Sequence, residues 1–174
     1  MDAFIILDSF VFESTGKGTP TTFRVTISSR RVFQNVAASV RDQGKELVCA
    51  TNDTYKLHFG DWIVVDCGSE AVTWVRHEFA HRFAPWVYVF VRSKSTAAYT
   101  QMFRTVRQRA RDFFNVDVVV SFATLDHSEA ITSAFLTEWP MTHLLTCWPH
   151  LVRQSRKKKS LLSDSDPYED VIKP

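Results

Sequence analysis

Cysteine is scarce in this chain of 174 residues: Cys49, Cys67 and Cys147 are the whole complement. Three widely spaced cysteines exclude a secreted disulfide framework and suit a reducing compartment. A long hydrophobic run is also lacking. The most apolar stretch, Trp86 to Val91, is far too short to span a bilayer and reads as a buried strand. No membrane partner is expected. The first residues, Met1 to Phe12, include Asp2 and Asp8 and carry no basic start or small-residue cleavage site, so they do not read as a signal peptide. Secretion is not expected. Charge of one sign is nearly absent in sum, with a net +2, and no internal repeat is visible.

What is present is an ordinary globular composition, 45% hydrophobic and 23% charged. That supports one compact core and is too little for two comfortable domains. Phe4 to Phe12 and Thr22 to Ile27 are rich in β-branched and aromatic residues. Between them runs Ser14-Thr15-Gly16-Lys17-Gly18-Thr19-Pro20, a turn-forming cluster, so the three segments predict a hairpin. Ser28 or Ser29 is placed to cap a helix with Val32, Phe33, Val36 and Val40 inward, ended by Gln43-Gly44.

Strands are expected at Glu46 to Asp53, Asp61 to Cys67 and Pro85 to Arg92. A long helix follows, capped by Ser95 or Thr96, with Tyr99, Met102, Phe103, Val106, Ala110 and Phe113 on one face. Valine-dense Val116 to Thr124 predicts a strand buried on both faces. Ser128 caps a short helix with Ile131, Ala134 and Phe135 inward, and Thr142 to Cys147 is a last short strand. The fold class is thus α/β: a three-strand meander followed by α-β-α-β, preceded by an N-terminal β-hairpin and helix. That order is the one found in an RNase H-like mixed sheet.

The expected organisation is residues 1–45 as hairpin and helix packed on the core, 46–152 as the core, and 153–174 as a basic then acidic tail. The tail has little to bury and is expected to be disordered. Arg153, Arg156, Lys157, Lys158 and Lys159 form its basic run. Such a run suits nuclear import or non-specific contact with nucleic acid, and is also common in solvated tails. Arg104, Arg107 and Arg111 share a face of the long helix and read either as phosphate contacts or as a solvated face.

Three segments carry a resemblance. Asn52-Asp53-Thr54-Tyr55-Lys56-Leu57-His58 is followed by Ala123-Thr124-Leu125-Asp126-His127-Ser128-Glu129-Ala130, and then by Cys147-Trp148-Pro149-His150. In this order they resemble the first catalytic motif, the second catalytic motif and the Cys-x-x-His signature of Mutator-like element transposases. Phe23 to Ser29 also resembles the strand and helix start before the first motif, so the likeness runs from about Phe23 to Arg153. Here His58 stands where the family usually has Asn.

The resemblance implies an RNase H-like core for metal-dependent DNA cleavage and strand transfer. Asp53 and Asp126 would hold Mg²⁺ or Mn²⁺, with His150 nearby as a third catalytic-site residue. The bland reading of each aspartate is a turn or helix cap. The family's third acid, a Glu beyond a helical insertion, has no counterpart in this sequence. A catalytically incomplete core is therefore expected, in the nucleus or cytoplasm, making weak, sequence-independent contact with DNA. Partner chains would be further copies of itself or a full-length transposase.

Two other readings stay open. One is a domesticated DNA-binding or protein-interaction module without catalysis. The other follows from His77-Glu78-Phe79-Ala80-His81, literally the His-Glu-x-x-His of zinc proteases. That motif needs a helix and a third ligand, and Arg76, Arg82 and Pro85 around it speak against both. The segment is expected on a strand, turn or irregular stretch. Cys147 and His150 supply only half of a four-ligand zinc site.

Overall fold

The computed structural model describes residues 3–12, 22–54, 62–92, 94–125, 128–146 and 152. Seven strands form one mixed sheet: β1 (Phe4–Phe12), β2 (Thr22–Ser29), β3 (Val48–Thr54), β4 (Ile63–Val75), β5 (Glu78–Val91), β6 (Phe122–Leu125) and β7 (His143–Thr146). Their spatial order is β1-β2-β5-β4-β3-β6-β7. The strands β3, β4 and β5 pair antiparallel, as short connections require, whereas β6 lies parallel to β3 and β7 parallel to β6. Helices α1 (Arg30–Gln43), α2 (Thr96–Phe114) and α3 (Glu129–Glu138) make the longer connections. The fold is α/β, and the hairpin β1–β2 continues the sheet by pairing with β5 at Tyr88 to Phe90.

Local signals explain the helix ends. Ser29 accepts a hydrogen bond from the Val32 amide at the start of α1, and Ser95 accepts one from the Ala98 amide at the start of α2. Gly44 ends α1 at φ 55°, and Asn115 ends α2 in the left-handed region at φ 53°. Of the two serines before α1, Ser28 does not cap. Its hydroxyl donates instead to the Trp86 carbonyl, 2.7 Å away.

Burial alternates along the strands. Arg24, Thr26 and Ser28 of β2, Val65 and Cys67 of β4, and Val87, Val89 and Val91 of β5 are all buried. Their neighbours Val25, Ile27, Val64, Tyr88 and Phe90 are half-buried on the opposite face. The helices cover the buried face. Ser39 of α1 bonds Ser69 and receives Trp86 Nε1, Arg24 donates to the Ala98 carbonyl of α2, and Phe135 of α3 lies 4.3 Å from Phe103 of α2. Most of the apolar positions expected to face inward on the three helices are buried, but Val32 and Val40 of α1 are only half-buried. Phe113 is more than half exposed, while its ring edge still meets Phe33.

Two strands differ from their expected limits. The valine-rich segment pairs as a strand only from Phe122 to Leu125. Before it, Val118 and Val120 are buried, but their carbonyls accept from the side chains of Trp139 and Thr142 rather than from a neighbouring strand. In contrast, β4 and β5 run far beyond Cys67 and start well before Pro85, as one long hairpin. Its two-residue turn is Arg76-His77, with φ 49° and 69°. Positive φ at both positions matches the right-handed twist of the strands it joins.

A β-bulge between Cys67 and Gly68 lies at the root of that hairpin. Gly68 is needed there for space. An added Cβ would run into the Ala84 carbonyl oxygen and come within 2.7 Å of the Phe83 ring. Gly68→Ala is expected to cost about 1–3 kcal/mol, because the obstacle is paired backbone that cannot swing aside. Urea unfolding of the variant checks this, and an unchanged midpoint would show that the bulge relaxes freely.

Candidate nucleic-acid-processing site

The first motif falls on β3 and the second begins on β6, and these strands are parallel neighbours. Val48, Cys49 and Ala50 pair with Phe122, Ala123 and Thr124. From the carboxyl end of β3 the chain goes to β4 on one side; from β6 it goes through α3 to β7 on the other. Where neighbouring parallel strands send their connections in opposite directions, a crevice opens beyond their carboxyl ends. Thr54, paired with Val64, Val91, paired with Ile63, and Leu125 all end strands at this edge. The N-termini of α2 and α3 follow β5 and β6 there.

Asp53 belongs to β3, where it pairs with Val65. Its side chain, and Asp126, Cys147, His150 and Arg153 to Lys159, lie outside the described residues. Among the described residues, no three His, Cys, Asp or Glu side chains are grouped to hold a metal. Glu129 occupies the first turn of α3, at the crevice end. Glu138 is at the other end of that helix, about 13–14 Å away at the rise of an α-helix. It is committed there to Arg104 at 3.1 Å and Arg107 at 3.3 Å.

The helix arginines are paired within the chain. Arg107 also reaches Asp117 at 3.3 Å, and Arg111 reaches it at 2.8 Å. Burial works against the charge of Arg107, but its bonds to Glu138 and Asp117 outweigh that and raise its pKa. A phosphate at Arg104, Arg107 or Arg111 would have to compete with these two carboxylates. Sequence reasoning had no signal for this, since Asp117 and Glu138 lie outside the helix. At the crevice edge itself, exposed Arg92 stands over the Trp62 ring, 5.1 Å from its centroid.

Neither a protein-family model nor a curated protein matches this chain.

The His-Glu-x-x-His segment does not form the helix that a zinc protease requires. His77 is in the β4–β5 turn and His81 is on β5 opposite Val72, both exposed. Cys49 and Cys67, distant in sequence, come together on β3 and β4 with sulfurs 3.6 Å apart. Burial, followed by the neighbouring Cys67 thiol, pushes the Cys49 pKa well up, so Cys49 is a protonated core thiol rather than a nucleophile. A groove of about 710 Å³ opens between α1 and the beginning of β3, lined by Asp42, Glu46, Glu70, His81 and Arg82 among others. It lies toward the amino end of β3, away from Asp53.

Proposed function

We propose that this chain carries an RNase H-like core of the Mutator-like transposase type, built for metal-dependent phosphoryl transfer on DNA. The observation that carries the reading is the sheet order β5-β4-β3-β6-β7, with β3, β6 and β7 parallel and the motif aspartates at the end of β3 and directly after β6 in sequence. Asp53 and Asp126 would hold Mg²⁺ or Mn²⁺. A bound pair of such ions activates an attacking oxygen and stabilises a leaving one. In this reading the chain's own part is to carry one carboxylate on β3 and the other on the residue directly after β6, where a rigid sheet anchors them more firmly than free loops would. Two carboxylates alone hold such ions weakly, so this core binds metal and DNA without efficient turnover. A non-catalytic interaction module is the second reading, favoured by the exposed aromatic residues of the β4–β5 hairpin.

Manganese titration followed by electron paramagnetic resonance tests the first reading. Weak binding is expected in the wild type, and Asp53→Asn or Asp126→Asn should each lower the affinity about tenfold or more, the loss of one charged ligand of two. Asp42→Asn, on the exposed face of α1, should change nothing. Equal binding by wild type and both site variants would refute the shared-cation site.

A further inference from the structure

Beyond Ser69, β3 no longer accompanies β4, and β2 touches β5 only at Tyr88, Val89 and Phe90. Glu70 to Ala84 is therefore a two-stranded ribbon with no further strand beside it among the described residues. Two-stranded ribbons are marginal in water by themselves. This one also displays apolar side chains: Trp74 is 60% exposed, Phe79 71% and Phe83 40%. Cross-strand pairing of Trp74 with Phe79 and of Glu70 with Phe83 places the three rings on one face. The Trp74 and Phe79 rings meet edge to face at 4.6 Å. The other face carries Glu78 and Arg82.

The charges select the occupant. Glu70 and Glu78 cancel Arg76 and Arg82. A ribbon without excess positive charge releases few counterions from nucleic acid, which is the main source of non-specific affinity there. The same charges are self-complementary. Glu78 and Arg82 lie four residues apart on one face of β5, and neither has an ion-pair partner among the described residues. Two copies of β5 laid antiparallel about a two-fold axis at Ala80 bring Glu78 opposite the partner's Arg82, and Arg82 opposite the partner's Glu78. In that register Phe79 meets the partner's His81, and the aromatic face continues across the junction. Sliding the register by two residues leaves Glu78 opposite Ala84 and Arg82 opposite Ala80, or sets Arg82 against Arg76. Sliding it by four sets Arg82 or Glu78 on its own mate, and like charges directly opposite are unfavourable.

We propose that the β4–β5 ribbon is a homodimerisation arm, pairing two copies of this chain side by side through β5 in the register fixed by Glu78 and Arg82. The interface is isologous, as a two-fold axis demands. Its apolar content per copy rests on three rings, on the order of 300 Å² of exposed surface, which suits a reversible dimer rather than an obligate one. Trp74, Glu78, Phe79 and Arg82 all lie outside the buried hydrophobic core cluster.

Analytical ultracentrifugation of the full chain across the micromolar range tests this. The wild type should shift reversibly from one to two copies. Glu78→Lys and Arg82→Glu should each weaken the dimer about tenfold, because each puts like charges opposite at both symmetry-related contacts. The double variant Glu78→Lys/Arg82→Glu should regain most of the wild-type affinity, which neither misfolding nor a merely sticky surface would produce. Trp74→Ser/Phe79→Ser should stay monomeric with an unchanged circular dichroism spectrum. A wild type that is monomeric throughout, or a double variant no tighter than the singles, overturns the proposal. Retention on duplex DNA lost in the aromatic variant without change of mass would make nucleic acid the occupant and overturn it as well.

Discussion

Asp8→Ala is expected to destabilise the fold by about 3–5 kcal/mol, the usual cost of leaving a buried charge without its partner. Arg24 of β2 has no exposed surface. One guanidinium nitrogen donates to the Asp8 carboxylate of β1 at 2.5 Å, and another to the Ala98 carbonyl at 3.1 Å. Its Nε and the neighbouring Thr26 hydroxyl have no hydrogen-bond partner among the described residues. Burial lowers the Arg24 pKa, and Asp8 opposes that shift through its charge and hydrogen bond. Asp8 is the only carboxylate that offsets the cation's desolvation among the described ion pairs of Arg24.

The two partners are not equivalent. The Asp8 side chain is 24% exposed and also accepts from Thr105 Oγ1 at 3.1 Å, so without Arg24 it keeps water and a hydroxyl. Arg24 without Asp8 keeps one carbonyl. Arg24→Met, which retains the stem volume, should therefore cost only about 1–2 kcal/mol. Asp8→Ala/Arg24→Met should be more stable than Asp8→Ala alone, since it removes the stranded charge. Urea unfolding of the three variants checks the ranking. An Arg24→Met variant less stable than Asp8→Ala would mean that the cation is solvated in the native state and that the pair contributes mainly packing. Because a domain of ordinary stability has only about 5–15 kcal/mol in hand, loss of Asp8 should be visible in yield as well.

Nothing in the sequence marks Arg24 as buried. In Thr22-Phe23-Arg24-Val25-Thr26 the polar residues of the alternation read as the solvent face, yet Arg24 and Thr26 turn inward. A carboxylate sixteen residues earlier, across a hairpin and a bulge at Ile6/Asp8, makes that possible. The same limit explains the arginines of α2, whose partners Asp117 and Glu138 are fixed by how α3 packs. Features set by local physics were legible: the capped ends of α1 and α2, the period of Tyr99, Met102, Phe103, Val106 and Ala110, and the strand through Trp86 to Val91, of which Trp86, Val87, Val89 and Val91 are buried. The sense of pairing among β3 to β7 was legible because short links force antiparallel pairing and helical links force parallel pairing. The long hairpin was not, because Arg76-His77 lacks the Gly or Asn that signals its turn, and Glu78, His81 and Arg82 interrupt the apolar pattern of the strand after it. For the candidate site, the two motif strands were placed side by side by sequence reasoning, while the pairing of Cys49 with Cys67 depends on the register of β3 with β4.

Trp86→Ala should be the most damaging single core substitution, at about 3–5 kcal/mol, because the largest fully buried side chain among the described residues leaves a cavity that rigid sheet cannot fill. Trp86 is the unpaired residue of the β5 register, between Pro85, opposite Gly68, and Val87, opposite Cys67. Its ring is anchored by Nε1 donating to Ser39 at 3.3 Å, and Ser39 is itself bonded to Ser69 and to the Asn35 carbonyl. Its carbonyl takes the Ser28 hydroxyl, and the Pro85 carbonyl takes Asn35 Nδ2 at 2.9 Å. The residue thus joins α1, β2, β4 and β5 at the point where the ribbon leaves the sheet. Trp86→Phe keeps most of the packing and loses the ring donor, so it should cost about 1–2 kcal/mol. Ser39→Ala strands the same donor and should cost about 1–3 kcal/mol. Since both act on one hydrogen bond, Trp86→Phe/Ser39→Ala should be destabilised by clearly less than the sum of the two. Chemical denaturation of the four variants measures all of these terms. Additive costs for the pair would show that the indole does not depend on Ser39, and a Trp86→Ala cost no larger than that of Trp86→Phe would show that the helix closes over the gap.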